Sequence, residues 1–320
     1  MKPTSFSSGS TWWLRPVLFL IAGVLVVGGV VLSHVGVGAA PTTTTSTTGP
    51  SSVPKTTTSI AGAAGVVSTP PTGGRTPSHC PLTLAAPAVH SGVRLNLAPR
   101  RCTILEVGDS LGNDLGWGLA RQLGGYRWLN LVQKDKSSSG LVNAWFYSWP
   151  AHLATYFHQY HPNLLIIFLG GNDEQNVKIN GVIENVGTPK WKATYTHYVQ
   201  QVVDVARGAG VQVMWVGLPV MQPTYYSQGA AMLNSLYLGV IRHTQGAAYV
   251  PTWQLFATAS GAFMPVARVN GVAQQLRSSD GIHFSGVGEN VVSTYIVSQI
   301  GALFHLPLRA AESSVITGTN

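Results

Sequence analysis

A serine, a histidine and an aspartate stand where they could together perform acyl transfer. Ser110 follows a short apolar run, and Asp280 and His283 stand three positions apart before the last apolar stretch of the chain. A serine hydroxyl is a weak nucleophile until a base removes its proton, and that base is often a histidine oriented by a third group. Because one turn of chain can bring Asp280 to His283, the three residues are a candidate catalytic set.

A serine nucleophile also needs hydrogen-bond donors for the negative charge that develops on the ester oxygen. The candidates are the backbone N–H of Ser110, the backbone N–H of Gly140 and the side-chain amide of Asn172. Each motif alone has a structural alternative. Ser110 could simply cap a helix, Asn172 could form an Asx turn, and Asp280 could cap the turn that follows it.

Apolar runs typical of strands alternate with segments of helical spacing from Cys102 onward. The predicted strands are Thr103–Val107, Trp128–Val132, Leu164–Leu169, Val211–Val216 and Ala247–Val250. The predicted helices are Leu111–Leu123, Pro150–Tyr160, Trp191–Ala209, Met232–His243 and Val287–Phe304. This alternation predicts an α/β fold, a parallel sheet with helices on both faces. Sites in such sheets lie beyond the carboxyl ends of the strands, where Ser110, Gly140 and Asn172 fall.

Four sequence blocks, taken in order, resemble the SGNH hydrolases, also called the GDSL esterase/lipase superfamily. The blocks are VGDSLGNDLG with Ser110, SSSGL with Gly140, GGND with Asn172, and DGIHFSGVG with Asp280 and His283. The resemblance covers about residues 102–304. It implies a flavodoxin-like three-layer fold, a triad of Ser110, His283 and Asp280, and an oxyanion hole of Ser110, Gly140 and Asn172. The stretch SSSGLVNAWFYSWP looks most like extracytoplasmic bacterial members, some of which act on cell-envelope polysaccharides.

The resemblance predicts a serine esterase that hydrolyses O-acyl esters, on a cell-envelope or extracellular carbohydrate, through an acyl-serine intermediate. Two alternatives stay open: an O-acetyltransferase of envelope polysaccharide with the same triad, and a catalytically silent envelope-binding module on the same fold. The intact catalytic set argues against the silent module. No metal or organic cofactor is implied, because His158 and His161 lack further zinc ligands and the glycines after Gly108 lack dinucleotide spacing.

Two further groups of residues have several interpretations. Arg277 could anchor the loop before Asp280, meet an anionic substrate or form a salt bridge, of which the salt bridge is favoured. Four aromatic side chains near Gly140 could line an acyl or sugar pocket or pack in the core, and core packing is expected for at least two of them. These four are Trp145, Phe146, Tyr147 and Trp149. Asp173 is interpreted as structural and not as the acid of the triad.

Residues 1–40 are predicted to be a membrane anchor or a signal peptide. Val17–Leu32 is an unbroken apolar run, and with the residues up to Ala40 it reaches the roughly 20 residues that a membrane span needs. An uncleaved anchor is favoured, because a signal peptide has a shorter apolar core of about 7–15 residues. Since Lys2 and Arg15 precede the run, we expect the rest of the chain to lie outside the cell membrane.

The remaining boundaries follow from composition. Residues 41–79 are rich in Thr, Ser and Pro and are predicted to be a disordered linker. Residues 80–308 are predicted to form the hydrolase domain, and 309–320 a flexible tail. The two cysteines, Cys80 and Cys102, are expected to form a disulfide outside the cell, with two free buried thiols as the alternative.

Charge excludes one class of partner. The formal net charge is +8, but charged residues make up only 9% of the chain and no cluster of Lys and Arg is longer than Arg100–Arg101. Nucleic-acid binding needs a basic stripe or patch, so we expect no nucleic-acid partner. The expected partners are an acylated carbohydrate or a small ester and, through the N-terminal segment, a membrane.

Overall fold

The computed structural model describes Cys80, Leu82, residues 101–306, Leu308 and Ile316–Thr317. The strands within these residues are β1 Cys102–Gly108, β2 Leu129–Gln133, β3 Leu164–Phe168, β4 Val177–Ile179, β5 Val182–Glu184, β6 Gln212–Val216, β7 Ala247–Val250, β8 Val266–Val269, β9 Val272–Gln275 and β10 Ile316–Thr317. The α-helices are α1 Ser110–Leu123, α2 Trp149–Tyr160, α3 Pro189–Gly208, α4 Thr224–Ile241 and α5 Gly286–Leu303. A 3-10 helix spans Trp253–Phe256.

Five parallel strands form the central sheet in the order β2-β1-β3-β6-β7. Every residue of β1, β3 and β6 is buried, as the strands of a parallel sheet covered on both faces should be. On the helical layers, α1 packs against α5, and α3 packs against both α2 and α4. The predicted flavodoxin-like fold with helices on both faces is therefore confirmed.

The chain order of the sheet determines where a site can form. The chain runs from β1 outward to β2 and then crosses back to β3, so β1 and β3 are neighbours whose following helices leave in opposite directions. A crevice opens beyond the carboxyl ends of such a pair. Ser110 lies two residues after the end of β1, and Asn172 lies four residues after the end of β3.

The structure extends the predicted elements in two places. Helix α4 begins at Thr224, about two turns before the predicted start at Met232, since Pro223 stands at the N-cap and the first turns lack the apolar period. Two hairpins, β4–β5 and β8–β9, were not predicted. Their turns are Asn180-Gly181 and Asn270-Gly271, all four at positive φ, which is the pairing that tight hairpin turns require.

The ends of the chain are described only in part. The predicted anchor at 1–40 and linker at 41–79 lie outside the described residues. Among the helices that are described, none is long and apolar enough to cross a membrane. Within the predicted tail over 309–320, the structure describes Ile316–Thr317, which form β10 and pair antiparallel with β8. This two-residue strand adds to the edge of the β8–β9 hairpin.

A disulfide joins Cys80 to Cys102, with Cα atoms 5.1 Å apart. Cys102 is the first residue of β1, the strand that leads to Ser110. The bond therefore links Cys80, which precedes β1 by 22 positions, to the first residue of a central strand. A crosslink that closes a loop of this size adds about 3 kcal/mol of stability in the chain-entropy model.

Two carboxyl groups face each other beneath α1. Glu106, in the interior of β1, is fully buried, and among the described residues no N–H or O–H group reaches either of its Oε atoms. Its partner is Asp135, which follows β2 and has a buried Oδ1. Helix α1 makes room for the pair at Gly116, where a Cβ atom would lie 2.7 Å from Glu106 Oε2. Two ionised carboxylates so close together in a buried site would repel each other, so the site favours a proton on one of the two groups.

Burial has a definite effect on how this pair titrates. Burial raises the pKa of Glu106 well above its ordinary value, and the charge of Asp135 raises it further. Burial also raises the pKa of Asp135 to about 7. Both folded-state pKa values exceed the value of about 4 expected in the unfolded chain. The pair's contribution to stability is therefore complete below about pH 4 and is lost as the pH rises through about 7.

We expect the Glu106→Gln substitution to flatten the dependence of stability on pH. The amide does not titrate and can donate to Asp135, so the melting temperature should fall less between about pH 5 and about pH 8 than it does in the wild type. Thermal unfolding across this range measures the difference. Asp204→Asn, at an exposed carboxylate on α3, is the matched control and should keep the wild-type slope. A wild-type melting temperature that is equally flat would contradict the protonated pair.

Candidate active site

The structure brings Ser110, His283 and Asp280 into one hydrogen-bonded chain. His283 Nε2 lies 2.8 Å from Ser110 Oγ, and His283 Nδ1 lies 2.6 Å from Asp280 Oδ2. The carboxylate thus contacts one ring nitrogen, and the other ring nitrogen contacts the hydroxyl. This arrangement can move a proton from the hydroxyl to the imidazole while the carboxylate holds the ring in place.

Ser110 is positioned by the buried carboxylate of Asp109. Asp109 caps α1, because its Oδ1 accepts from Leu111 N at 2.9 Å. Its Oδ2 accepts from Gly170 N at 2.9 Å and Gly171 N at 2.7 Å, in the loop after β3. Burial raises the pKa of Asp109 to about 6, although these backbone N–H groups lower it. One side chain therefore couples the start of α1 to the loop that carries Asn172.

His283 is held from two sides. Asp280 Oδ1 accepts from Ile282 N at 2.8 Å and from His283 N at 3.0 Å, so the carboxylate also shapes the turn. Partial burial raises the pKa of Asp280, but the hydrogen bonds from the His283 side chain and from these two backbone N–H groups outweigh it and lower the pKa to about 2. Asp280 therefore stays ionised across the range in which an imidazole titrates.

A residue of α1 also constrains the position of His283. Asp114 Oδ2 accepts from Phe284 N at 3.0 Å, and Asp114 stands one helical turn after Ser110, on the same face. The same face of α1 thus carries the hydroxyl and fixes the residue that follows the histidine. The sequence reasoning missed Asp114, although its spacing of four from Ser110 was the signal.

Arg277 anchors the histidine loop from within. It is fully buried, and its guanidinium donates to the carbonyl oxygens of Val220 at 2.8 Å, His283 at 3.3 Å and Ile282. Its charge also faces three aromatic rings: Phe256, Phe263 and Phe284. Burial lowers the pKa of Arg277 to about 10. The favoured salt-bridge interpretation is wrong, because no carboxylate in the described part of the chain lies within ion-pair distance of this guanidinium, and the loop-anchor interpretation fits.

The three predicted oxyanion donors have different surroundings. The backbone N–H groups of Ser110 and Gly140 have no hydrogen-bond partner among the described residues. The side-chain amide of Asn172 donates to Ser139 O at 3.0 Å, which uses one of its two hydrogens. The amide therefore links the loop after β3 to the residue just before Gly140 and keeps one hydrogen for another acceptor.

The loop that contains Gly140 depends on Asp173. A Cβ atom at position 140 would overlap Asp173 Oδ1, so this close approach requires glycine. The same Oδ1 accepts from Val142 N at 3.1 Å, and Oδ2 accepts from Tyr195 Oη at 2.7 Å. Burial raises the pKa of Asp173, although these hydrogen bonds lower it. Asp173 thus joins the loops after β2 and β3, in agreement with its structural interpretation.

No group of three or more His, Cys, Asp or Glu side chains suited to a metal ion occurs in the described part of the chain. The reactive groups that the structure brings together are the serine hydroxyl, the imidazole and the surrounding hydrogen-bond donors. These residues occupy the crevice beyond the carboxyl ends of β1 and β3, as expected for a sheet with this strand order.

Comparison with solved structures finds similar chain traces at low sequence identity. A carbohydrate esterase family 3 from Talaromyces cellulolyticus is 14% identical, with 64% of this chain and 98% of that chain covered and a TM-score of 0.44. A GDSL-like lipase from Bacteroides thetaiotaomicron VPI-5482 is 13% identical, with 62% and 88% covered and a TM-score of 0.43. LAE5, an alpha/beta hydrolase enzyme from the metagenome of Lake Arreo, Spain, is 14% identical, with 64% and 97% covered and a TM-score of 0.48. Matches at this level decide neither the reaction nor the substrate.

Sequence comparison is more specific. None of the curated proteins is similar in sequence to this chain. A family model described as "Protein of unknown function (DUF459)" matches residues 103–299, from the second residue of β1 to the last turn but one of α5. The match includes every residue of the candidate site. The chain therefore belongs to the DUF459 family.

Proposed function

We propose that this protein is a serine esterase that hydrolyses O-acyl esters of a cell-envelope or extracellular carbohydrate. The observation that carries the proposal is the continuous hydrogen-bonded chain from Asp280 through both nitrogens of His283 to Ser110 Oγ. A serine that merely caps a helix needs no imidazole on its hydroxyl. The geometry is the one that a general base and its nucleophile require.

The first half of the reaction acylates the serine. His283 Nε2 takes the proton of Ser110 Oγ while this oxygen bonds to the carbonyl carbon of the ester. The tetrahedral intermediate then collapses, the bond from carbon to the sugar oxygen breaks, and the protonated imidazole returns the proton to the departing alcohol. Asp280 stays ionised and accepts from Nδ1–H, which stabilises the imidazolium in between.

The negative charge of the tetrahedral intermediate needs donors that are already in place. The backbone N–H groups of Ser110 and Gly140, which have no partner among the described residues, and the second amide hydrogen of Asn172 are available for this role. Asp109 and Asp173 fix the loops that carry them, so little reorganisation is needed during the reaction.

The second half of the reaction favours water as the acceptor. The side chains of His283 and Asp280 are 37% and 45% exposed, so solvent reaches the base directly. A water molecule gives a proton to His283 Nε2 and attacks the acyl carbon. The bond from this carbon to Ser110 Oγ then breaks, the imidazolium returns the proton to Oγ, and the carboxylic acid leaves. Transfer of the acyl group to a sugar hydroxyl would require that water be kept out of the site. The exposure of His283 and Asp280 gives no support for such exclusion.

We expect Ser110→Ala and His283→Ala each to reduce hydrolysis of p-nitrophenyl acetate by about 10³-fold or more, because the members of such a set act as a unit. Steady-state kinetics of the purified proteins measure the effect, and thermal unfolding checks that both variants fold. Ser298→Ala, at an exposed serine on α5, is the matched control and should keep wild-type turnover. Near-normal turnover in either folded variant would reject the assignment.

Removal of the Asn172 amide should act mainly on the chemical step. We expect Asn172→Ala to lower kcat by about 10²–10³ with little change in KM, because the donor is needed most in the tetrahedral intermediate. Asn130→Ala, at an exposed asparagine of β2, is the control. An effect confined to KM would instead make Asn172 a residue that binds the ground state of the substrate.

A further inference from the structure

The four aromatic side chains between Gly140 and α2 divide into an inner and an outer pair. Trp149 is buried and its Nε1 donates to Ser139 Oγ at 3.1 Å, while the ring of Tyr147 stacks on His152 with centroids 3.8 Å apart. The expectation that at least two of the four pack inward is confirmed by this pair. Trp145 and Phe146 are 88% and 43% exposed. They are the side chains for which packing offers no explanation.

The backbone beneath the outer pair is held in place by hydrogen bonds. Asn143 O accepts from Phe146 N at 2.8 Å, and the Asn143 side chain donates to Ser138 O at 3.2 Å. Asp173 Oδ1 holds Val142 N at 3.1 Å. The rings of Trp145 and Phe146 have centroids 6.1 Å apart. Because the backbone of the loop is already constrained, a ligand that stacks on these rings would cause only a small loss of backbone entropy.

The surroundings of the pair favour a sugar over a lipid surface. Lys136 Nζ lies 5.3 Å from the centroid of the Phe146 ring, and the next two residues along the chain, Ser137 and Ser138, are exposed. A membrane surface would require a broad contiguous apolar patch. A pyranose ring has one face of C–H groups, which matches an aromatic face, and a rim of hydroxyls, which matches ammonium and hydroxyl partners.

The pair is also connected to the candidate site. Both rings stand on the loop that carries Gly140, and Ser139 O in that loop accepts from Asn172. We infer that Trp145 and Phe146 form a sugar-binding subsite that holds a pyranose ring of an O-acylated oligosaccharide or polysaccharide beside Ser110. The role of this subsite in catalysis rests on the proposed esterase activity. Its affinity for a sugar rests on the exposed aromatic pair.

The test compares a glycan ester with an ester that has no sugar. The probes are acetylated xylo-oligosaccharides, O-acetylated chito-oligosaccharides and p-nitrophenyl acetate. Trp145→Ala should lower the ratio of kcat/KM for the preferred glycan ester to kcat/KM for p-nitrophenyl acetate by about tenfold or more, mainly through KM. Trp145→Phe should restore part of the ratio. Trp117→Ala, at a tryptophan of α1 that is 52% exposed, is the matched control and should leave the ratio unchanged.

A binding measurement separates this inference from the proposed activity. Calorimetric titration of Ser110→Ala with the same oligosaccharides should show binding that is weakened when Trp145→Ala is added. If the wild type hydrolyses no ester and binding still depends on Trp145, the esterase proposal fails and the subsite stands. An unchanged ratio and unchanged affinity in Trp145→Ala would overturn the subsite. It would also be overturned if neither glycan binds, or if Trp145→Ala abolishes binding to phosphatidylglycerol vesicles and affects no glycan.

Discussion

The carboxylate of Asp109 is the constraint on which the rest of the site depends. It is fully buried, and it receives three backbone N–H groups: one from the first turn of α1 and two from the loop after β3. A hydrogen bond to a charged group contributes about 1.5–3 kcal/mol, and each donor would be left unpaired in the interior without it. Because β1 and β3 are neighbours in the sheet, a single side chain can span both carboxyl ends. This bridge fixes the start of α1, where Ser110 lies, relative to the loop that carries Asn172.

Three other buried side chains also link separate segments of the chain through hydrogen bonds to backbone groups. Asp114 ties α1 to the backbone after His283, Asp173 ties the loop after β3 to the loop after β2, and Arg277 ties the histidine loop to the chain after β6. In each case a charge contacts backbone groups of another loop and not an opposite charge. Such bonds are directional and resist displacement by water when buried. The loops can therefore be irregular while the proposed catalytic side chains stay exposed to substrate and solvent.

This arrangement also bears on the low charge of the chain. Only 11 residues are Asp or Glu, and the site region contains Glu106, Asp109, Asp114, Asp135, Asp173 and Asp280 among them. Most of these carboxylates are thus used to shape the region around one crevice and few remain for the surface. Glu106 and Asp135, whose pKa values burial raises, lie against the same helix that carries Ser110, so the packing of that helix is linked to pH.

The sheet and the order of the site motifs could be predicted from sequence, because fully apolar runs such as Leu164–Phe168 and the motifs at their ends are local signals. The turns of the two hairpins have a local sequence signal, Asn180-Gly181 and Asn270-Gly271. The strands beside these turns are too short to show an alternating pattern, so the signal was missed. The role of Arg277 could not be predicted from sequence, because its partners are backbone carbonyl groups that only the fold brings together. The same holds for Glu106, whose partner Asp135 belongs to another strand's end.

The most direct test of the central claim is to locate the covalent adduct of a fluorophosphonate. The account predicts that the reagent adds one phosphonyl group to the folded protein, that the modified peptide contains Ser110, and that Ser110→Ala and His283→Ala both abolish the mass increase. An unmodified wild-type protein, or an adduct on another residue that persists in Ser110→Ala, would contradict the assignment of Ser110 as the activated nucleophile.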